Sequence, residues 1–293
     1  MNRLLTGIFI IVAGASYALA ADIRPQLVVP DSAHVQIIKF QDGTTSMGRI
    51  TRVDSAFVQF KASFGEMTVA IDKIDEVRTV PTGEIREGKY WFPNPNATRL
   101  FFGPTAQLLK QGKGYFSDIY VFFPSVVYGI TDNITMGGGM SLFPSTGMDH
   151  QIFFFTPKVG FRPSPDLGLA AGALIVRVPT FDSDSKLSTA GIVYVVGTYD
   201  GPDRSFTAGL GYGYAGDKMA DKPMLMVGGE YRLSRRVAFV SENWLFPGLD
   251  QPLVSAGLRF FGEGMCFDLA LANVIGQDAA APGVPYLDAV FNF

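Results

Sequence analysis

The stretch RSFTAGLGYGYA, residues 204–215, sets two kinds of residue against each other. Phe206, Ala208, Leu210, Tyr212 and Tyr214 fall on one side of an extended chain, and Ser205, Thr207, Gly209, Gly211 and Gly213 on the other. Strict alternation marks a strand. An apolar face backed by a small or polar one suits a wall between hydrocarbon and a narrow lumen. The GxGxxG match at Gly211–Gly216 lies in the same stretch. No helix follows it, so alternating glycines lining a crowded interior explain it better than a dinucleotide loop.

Neighbouring stretches repeat the pattern. Ile134, Met136, Met140 and Leu142 oppose Thr135, Gly137, Gly139 and Ser141; Leu225, Val227, Tyr231 and Leu233 oppose Met224, Met226, Gly228, Glu230 and Arg232; Phe267, Leu269 and Leu271 oppose Cys266, Asp268, Ala270 and Ala272. Tight turns at Asp132-Asn133, Ser164-Pro165-Asp166, Gly201-Pro202-Asp203, Ser234-Arg235 and Gly262-Glu263-Gly264 alternate with mostly longer connections near 110–113, 145–150, 180–189, 216–222, 248–252 and 277–284. The spacing predicts about twelve strands: 98–109, 114–131, 134–144, 151–163, 167–179, 190–200, 204–215, 223–233, 236–247, 253–261, 265–276 and 285–293. All the short turns fall on the side that carries both termini. Bacterial outer-membrane barrels show that asymmetry, with an even strand number.

The ends of the chain agree. MNRLLTGIFIIVAGASYALA has a basic start at Arg3, an apolar run and the small-x-small site Ala18-Leu19-Ala20, which reads as a signal peptide over 1–20. PYLDAVFNF closes the sequence, with Leu287, Ala289, Phe291 and Phe293 on one face and Asp288 and Asn292 on the other. A terminal aromatic preceded by apolar residues at every second position resembles the signal read by the outer-membrane barrel-assembly machinery, which assigns that role to Phe293 and Phe291. The stretch NATRLFFGPTAQLLKQGKGYFSDIYVFFPSVVYGITDNITMGGG, residues 96–139, resembles a family of uncharacterised bacterial outer-membrane proteins; this implies a location and supplies no activity.

Residues 33–80 read differently. Short β-type runs at Val35–Phe40, Met47–Val53, Ala56–Ala62, Met67–Ile71 and Glu76–Val80 are joined by an Asp42-Gly43 hairpin turn and a tight turn at Asp72-Lys73-Ile74. The pattern, with Gly48-x-Ile50 and Ile74-x-x-Val77, resembles the Sm-like and SH3-like small barrels. The expectation is a periplasmic interaction module. Some Sm-like relatives bind RNA, but an exported copy would not meet cellular RNA. Residues 81–97 read as a linker, with Pro93 and Pro95 barring regular pairing and Tyr90, Trp91 and Phe92 as an aromatic cluster at the membrane boundary.

Composition narrows the chemistry. The 293 residues carry a formal net charge of −3, which gives no argument for nucleic acid. Cys266 is the only cysteine, so an internal disulfide is excluded. Two histidines, His34 and His150, argue against a multi-histidine metal site, and no cofactor is expected. A histidine-dependent enzyme would have to use His150. Asp149 beside it should point the other way along a strand, so the two are not expected to act together.

The interior charges say more. By parity Lys158, Arg162, Arg232 and Arg259 face inward, as do Glu230, Asp268 and Asp288. Glu242 joins them on a strand that alternates poorly. They either pair and plug the barrel or line a pore; balanced signs favour the plug. Residues 115–130 are apolar on both faces, so Ile119, Val121 and Phe123 offer an apolar pocket.

The expectation is therefore an all-β chain: an up-and-down antiparallel transmembrane barrel over 98–293 behind a small bent β-barrel. Its task would be a closed structural barrel anchoring a module that meets a periplasmic protein. The alternatives are a narrow channel or transporter for a small or apolar solute, and a soluble lipocalin-like binder.

Overall fold

In a computed structural model the described residues are 23–179, 188–274 and 283–293, so the expected signal peptide with Ala18 and Ala20 lies outside them. The chain divides into two compact units, with the division between Trp91 and Phe92.

The first unit contains β1 (His34–Phe40), β2 (Thr45–Val53), β3 (Phe57–Ala62), β4 (Gly65–Ala70) and β5 (Ile74–Pro81), in the sheet order β4-β3-β2-β1-β5. Gly43, at φ +83°, makes the tight β1–β2 turn that Asp42-Gly43 predicts. Gly48 allows a close approach: a Cβ there would stand 2.3 Å from the Lys61 carbonyl oxygen. The register between β2 and β3 slips just beyond, after Ile50, and such a bulge bends a strand. Ile38, Ile50, Val58 and Phe60 are fully buried in the core this creates. The expected small barrel is realised as an open sheet, because a short 3-10 turn at Ile71–Lys73 leads from β4 to β5 without the two pairing. Inside the expected linker, β6 (Ile85–Arg86) and β7 (Lys89–Tyr90) form a small hairpin, and the Arg86 guanidinium lies 4.8 Å from the centre of the Trp91 ring.

The second unit is a closed antiparallel barrel. Its strands are β8 (Gly114–Ile119), β9 (Phe123–Thr131), β10 (Ile134–Met140), β11 (Phe153–Ser164), β12 (Leu167–Val178), β13 (Ser188–Asp200), β14 (Arg204–Ala215), the short extension β15 (Lys218–Met219), β16 (Met224–Ser234), β17 (Val237–Leu245), β18 (Leu253–Phe261), β19 (Met265–Val274) and β20 (Val284–Asn292). Each wall strand pairs with its sequence neighbours, and β20 returns to β8 to close the ring. Apart from β15, twelve strands make the wall.

That number agrees with the sequence reading, but two strands are differently drawn. Residues 98–109 are not a strand of the wall, and residues 114–131 are two strands rather than one. The chain reverses at Tyr120 and Val121, which both take positive φ, at 57° and 67°. Ile119-Tyr120-Val121-Phe122 contains none of the residues that announce such a turn.

Alternation sorts the wall as expected. Phe206, Leu210, Leu225, Phe239, Leu258 and Phe267 stand exposed on the outside, while Thr207, Met226, Val240, Arg259 and Asp268 are buried within. Among the described residues no helix is long and apolar enough to cross a membrane.

Candidate functional site

The lumen is occupied by the chain itself. Residues 94–111, which precede β8, are bonded to inward-facing side chains from strands all around the wall. The Glu242 carboxylate on β17 anchors the middle of this segment. Its Oε2 accepts three successive backbone N–H groups, from Phe101 at 2.8 Å, Phe102 at 3.0 Å and Gly103 at 2.8 Å, and its Oε1 accepts the Trp244 indole N–H at 2.7 Å. Gly103 suits the cradle, since a Cβ there would crowd the Glu242 carboxyl at 3.1 Å.

Arg259 on β18 holds the adjoining turns. Its guanidinium donates to the Asn96 and Leu100 carbonyls at 3.1 and 2.5 Å, to both Asp268 oxygens at 2.8 and 2.7 Å, and to Glu230 at 2.9 Å. A guanidinium with five donors in a fixed fork can serve four partners at once, which an ammonium cannot. Asn94 donates to Glu230 at 2.7 Å, and Arg99 donates to Asp288 at 2.7 Å. Lys158 on β11 donates to the carbonyls of Thr98 and Thr105 at 2.9 and 3.0 Å. Farther along, Ala106 N–H donates to Thr198 and Leu109 N–H to Thr135. Gln107 bonds Asp200 and Arg162, and Arg162 also meets Asp200 at 3.2 Å. Arg232 donates to the Arg235 carbonyl at 2.8 Å, its guanidinium 4.3 Å from the Phe261 ring centre.

Of the eight charges named from parity, all but Arg232 bond residues of the inserted segment, and Arg259 also pairs with Asp268 and Glu230. Sequence reasoning missed Arg99, because a strand over 98–109 left no segment for the charges to hold. It also missed Asp200, although Asp200 shares the inward parity of Thr198.

Beside the luminal segment lies a cavity of about 630 Å³. Phe123, Phe154, Leu174, Ile192 and Trp244 contribute apolar wall, with Thr98, Arg99, Lys158 and Tyr194 among its polar lining. Of the expected apolar pocket, Ile119 and Phe123 line this cavity. Val121 does not: the β8–β9 turn carries it to the tip, where it is 77% exposed. His150 and Asp149 do not point apart either. They sit in a 3-10 turn rather than on a strand, with Nε2 3.4 Å from the carboxylate, and both are exposed.

No protein-family model and no curated protein matches the chain, so neither family resemblance is carried by a match. Among solved structures it is similar to a KdgM porin in complex with disordered oligogalacturonate, at 8% identity and TM-score 0.43 over 62% of this chain and 96% of that one. It is also similar to OmpT, an outer membrane protein of Vibrio cholerae, at 13% and 0.34 over 89% and 97%. A third is OprD of Pseudomonas aeruginosa, at 9% and 0.33 over 89% and 92%. Likenesses this weak carry no argument, and the fold rests on the strand pairings themselves.

Proposed function

We propose that this chain is an outer-membrane β-barrel held closed by its own luminal segment, anchoring the small β module in the periplasm. The carrying observation is the set of bonds from opposite walls of the lumen to residues 94–111: Lys158 on β11, Glu242 on β17, Arg259 on β18 and Asp288 on β20. The exposed apolar outer face supports the membrane, since a monomer in water rarely exposes so much contiguous apolar surface. It speaks against the soluble lipocalin-like alternative for the same reason. In this reading the first unit is a bent module of the Sm-like type that meets a protein partner. Phe291 and Phe293, on the outward face of the last strand, present the assembly signal. We assign no catalytic role to His150.

A second reading, transport of a small or apolar solute, is favoured by the cavity alone and requires the luminal segment to move. Planar-bilayer recording separates the two. The wild-type barrel is expected to carry no steady current at low voltage. The double variant Glu242→Ala/Arg259→Ala removes the two main anchors of the segment and is expected to conduct. Steady conductance by the wild type would overturn the closed barrel.

A further inference from the structure

The cavity beside the luminal segment is of ligand size. Its volume, about 630 Å³, falls within the range of roughly 300–1,000 Å³ common for small-molecule sites. Its walls are largely apolar, with a few polar side chains set among them. Lys158 is buried and lines the cavity. Two of its three N–H groups go to the Thr98 and Thr105 carbonyls. The lumen's ion pairs, Arg99–Asp288, Arg259–Asp268 and Arg259–Glu230, leave it out. An ammonium buried without a counter-charge is costly.

A second donor stands near it. Lys158 is paired in register with Gly172 on β12, and Gly172 with Tyr194 on β13. The Tyr194 hydroxyl leans over this glycine, 2.5 Å from where a Cβ would sit, and so reaches toward the lysine's strand. It lines the cavity and makes no hydrogen bond within the described residues. Of the other polar groups, the Glu242 oxygens are taken up by N–H donors, Arg99 by Asp288, and Ser117 by Ser125 at 2.9 Å, while the hydroxyls of Thr156 and Ser255 also line the cavity.

We propose that the cavity binds a single-chain amphiphile bearing a carboxylate, with its alkyl chain along the Phe123, Phe154, Leu174 and Ile192 wall and its carboxylate between Lys158 and Tyr194. The carboxylate supplies the missing charge and accepts from both donors. The chain replaces contact that an empty apolar cavity lacks. A cationic head would meet donors and a like charge.

The test uses the full mature chain, folded in a maltoside detergent and checked for a heat-modifiable band. Native mass spectrometry then compares lauric acid with lauryl alcohol. The acid is expected to bind roughly tenfold more tightly or better, the worth of a hydrogen bond to a charged group. Tyr194→Phe deletes a hydroxyl that makes no hydrogen bond within the described residues, so it should fold normally and lose part of that preference. Lys158→Met should abolish the preference while the alcohol still binds. Leu174→Trp, which fills the cavity, should remove both ligands. Equal affinity for acid and alcohol, a preference that survives in both polar variants, or no binding by the folded barrel would each overturn the proposal. None of these results would disturb the closed-barrel reading, which is decided by conductance.

Discussion

At the scale of single residues, Glu242 does the most with the fewest atoms. One carboxylate oxygen satisfies three consecutive backbone N–H groups that the inserted segment would otherwise bury unpaired. Removing such a partner strands the donors, and an unsatisfied buried polar group costs about 1–3 kcal/mol. Glu242→Gln keeps the shape but supplies one acceptor oxygen in place of two. With that oxygen facing the three N–H groups, its NH₂ meets the Trp244 indole donor. We expect a loss of about 1.5–3 kcal/mol, the worth of a hydrogen bond to a charged group, read as a lower urea midpoint for the folded barrel in detergent. Glu242→Ala should cost more, because all four donors then lose their acceptor. An unchanged midpoint in Glu242→Gln would show that the segment is held elsewhere.

At the scale of elements, the β8–β9 hairpin turns on a residue poorly suited to its backbone. Val121 sits at φ +67°, a region that β-branched residues rarely adopt. The turn is kept by its surroundings: Tyr120 N–H donates to the Leu287 carbonyl, and its hydroxyl donates to the Pro285 carbonyl at 2.8 Å. Val121→Gly relieves the strain and leaves those bonds intact, so it should raise thermal stability by about 1 kcal/mol. A fall in the unfolding temperature would mean that the Val121 side chain matters more than its backbone. This hairpin also shows where the sequence was silent. Most wall strands from β10 onward announce themselves because one face must be apolar and the other small or polar, although β17 alternates poorly, and Gly, Pro, Asn or Asp marks most of their turns. The Tyr120-Val121 turn carries no such mark, so β8 and β9 merged into one expected strand. Residues 98–109 were the converse error. Their apolar content reads as wall, and only Gly103-Pro104 hints otherwise. Their partners are side chains distant in sequence, such as Thr135 for Leu109, Thr198 for Ala106 and Glu242 for Gly103. Parity could place Arg259 and Asp268 inside; it could not say what they hold.

At the scale of the whole molecule, the ring is completed by its two ends. Strand β20 pairs with β8 from Asp288↔Ile119 to Asn292↔Tyr115. The pairing then continues past the end of β20: Gly114 N–H donates to the Phe293 carbonyl at 3.0 Å, and Phe293 N–H donates to the Gly114 carbonyl at 2.8 Å. The Phe293 ring lies over Gly114, so close that a Cβ there would come within 2.6 Å of it. A glycine leaves a strand surface bare, and an aromatic ring laid across it restores the contact. This seam joins the first and last strands of the barrel, the pairing with the greatest sequence separation in the wall, and loop closure delays such contacts. Phe293→Ala should therefore act more on assembly than on the finished barrel. A cross-strand pair of this kind contributes about 1 kcal/mol at most, a small part of the stability of a closed ring. The fraction of chains reaching the heat-modifiable form in the outer membrane should nevertheless fall several-fold, with the urea midpoint of the survivors nearly unchanged. Gly114→Val should reproduce the defect from the other side of the seam, because its side chain displaces the ring. If both variants instead lowered the urea midpoint strongly while assembling at normal yield, the terminal aromatic would be a structural latch, and an assembly role for Phe293 would be lost.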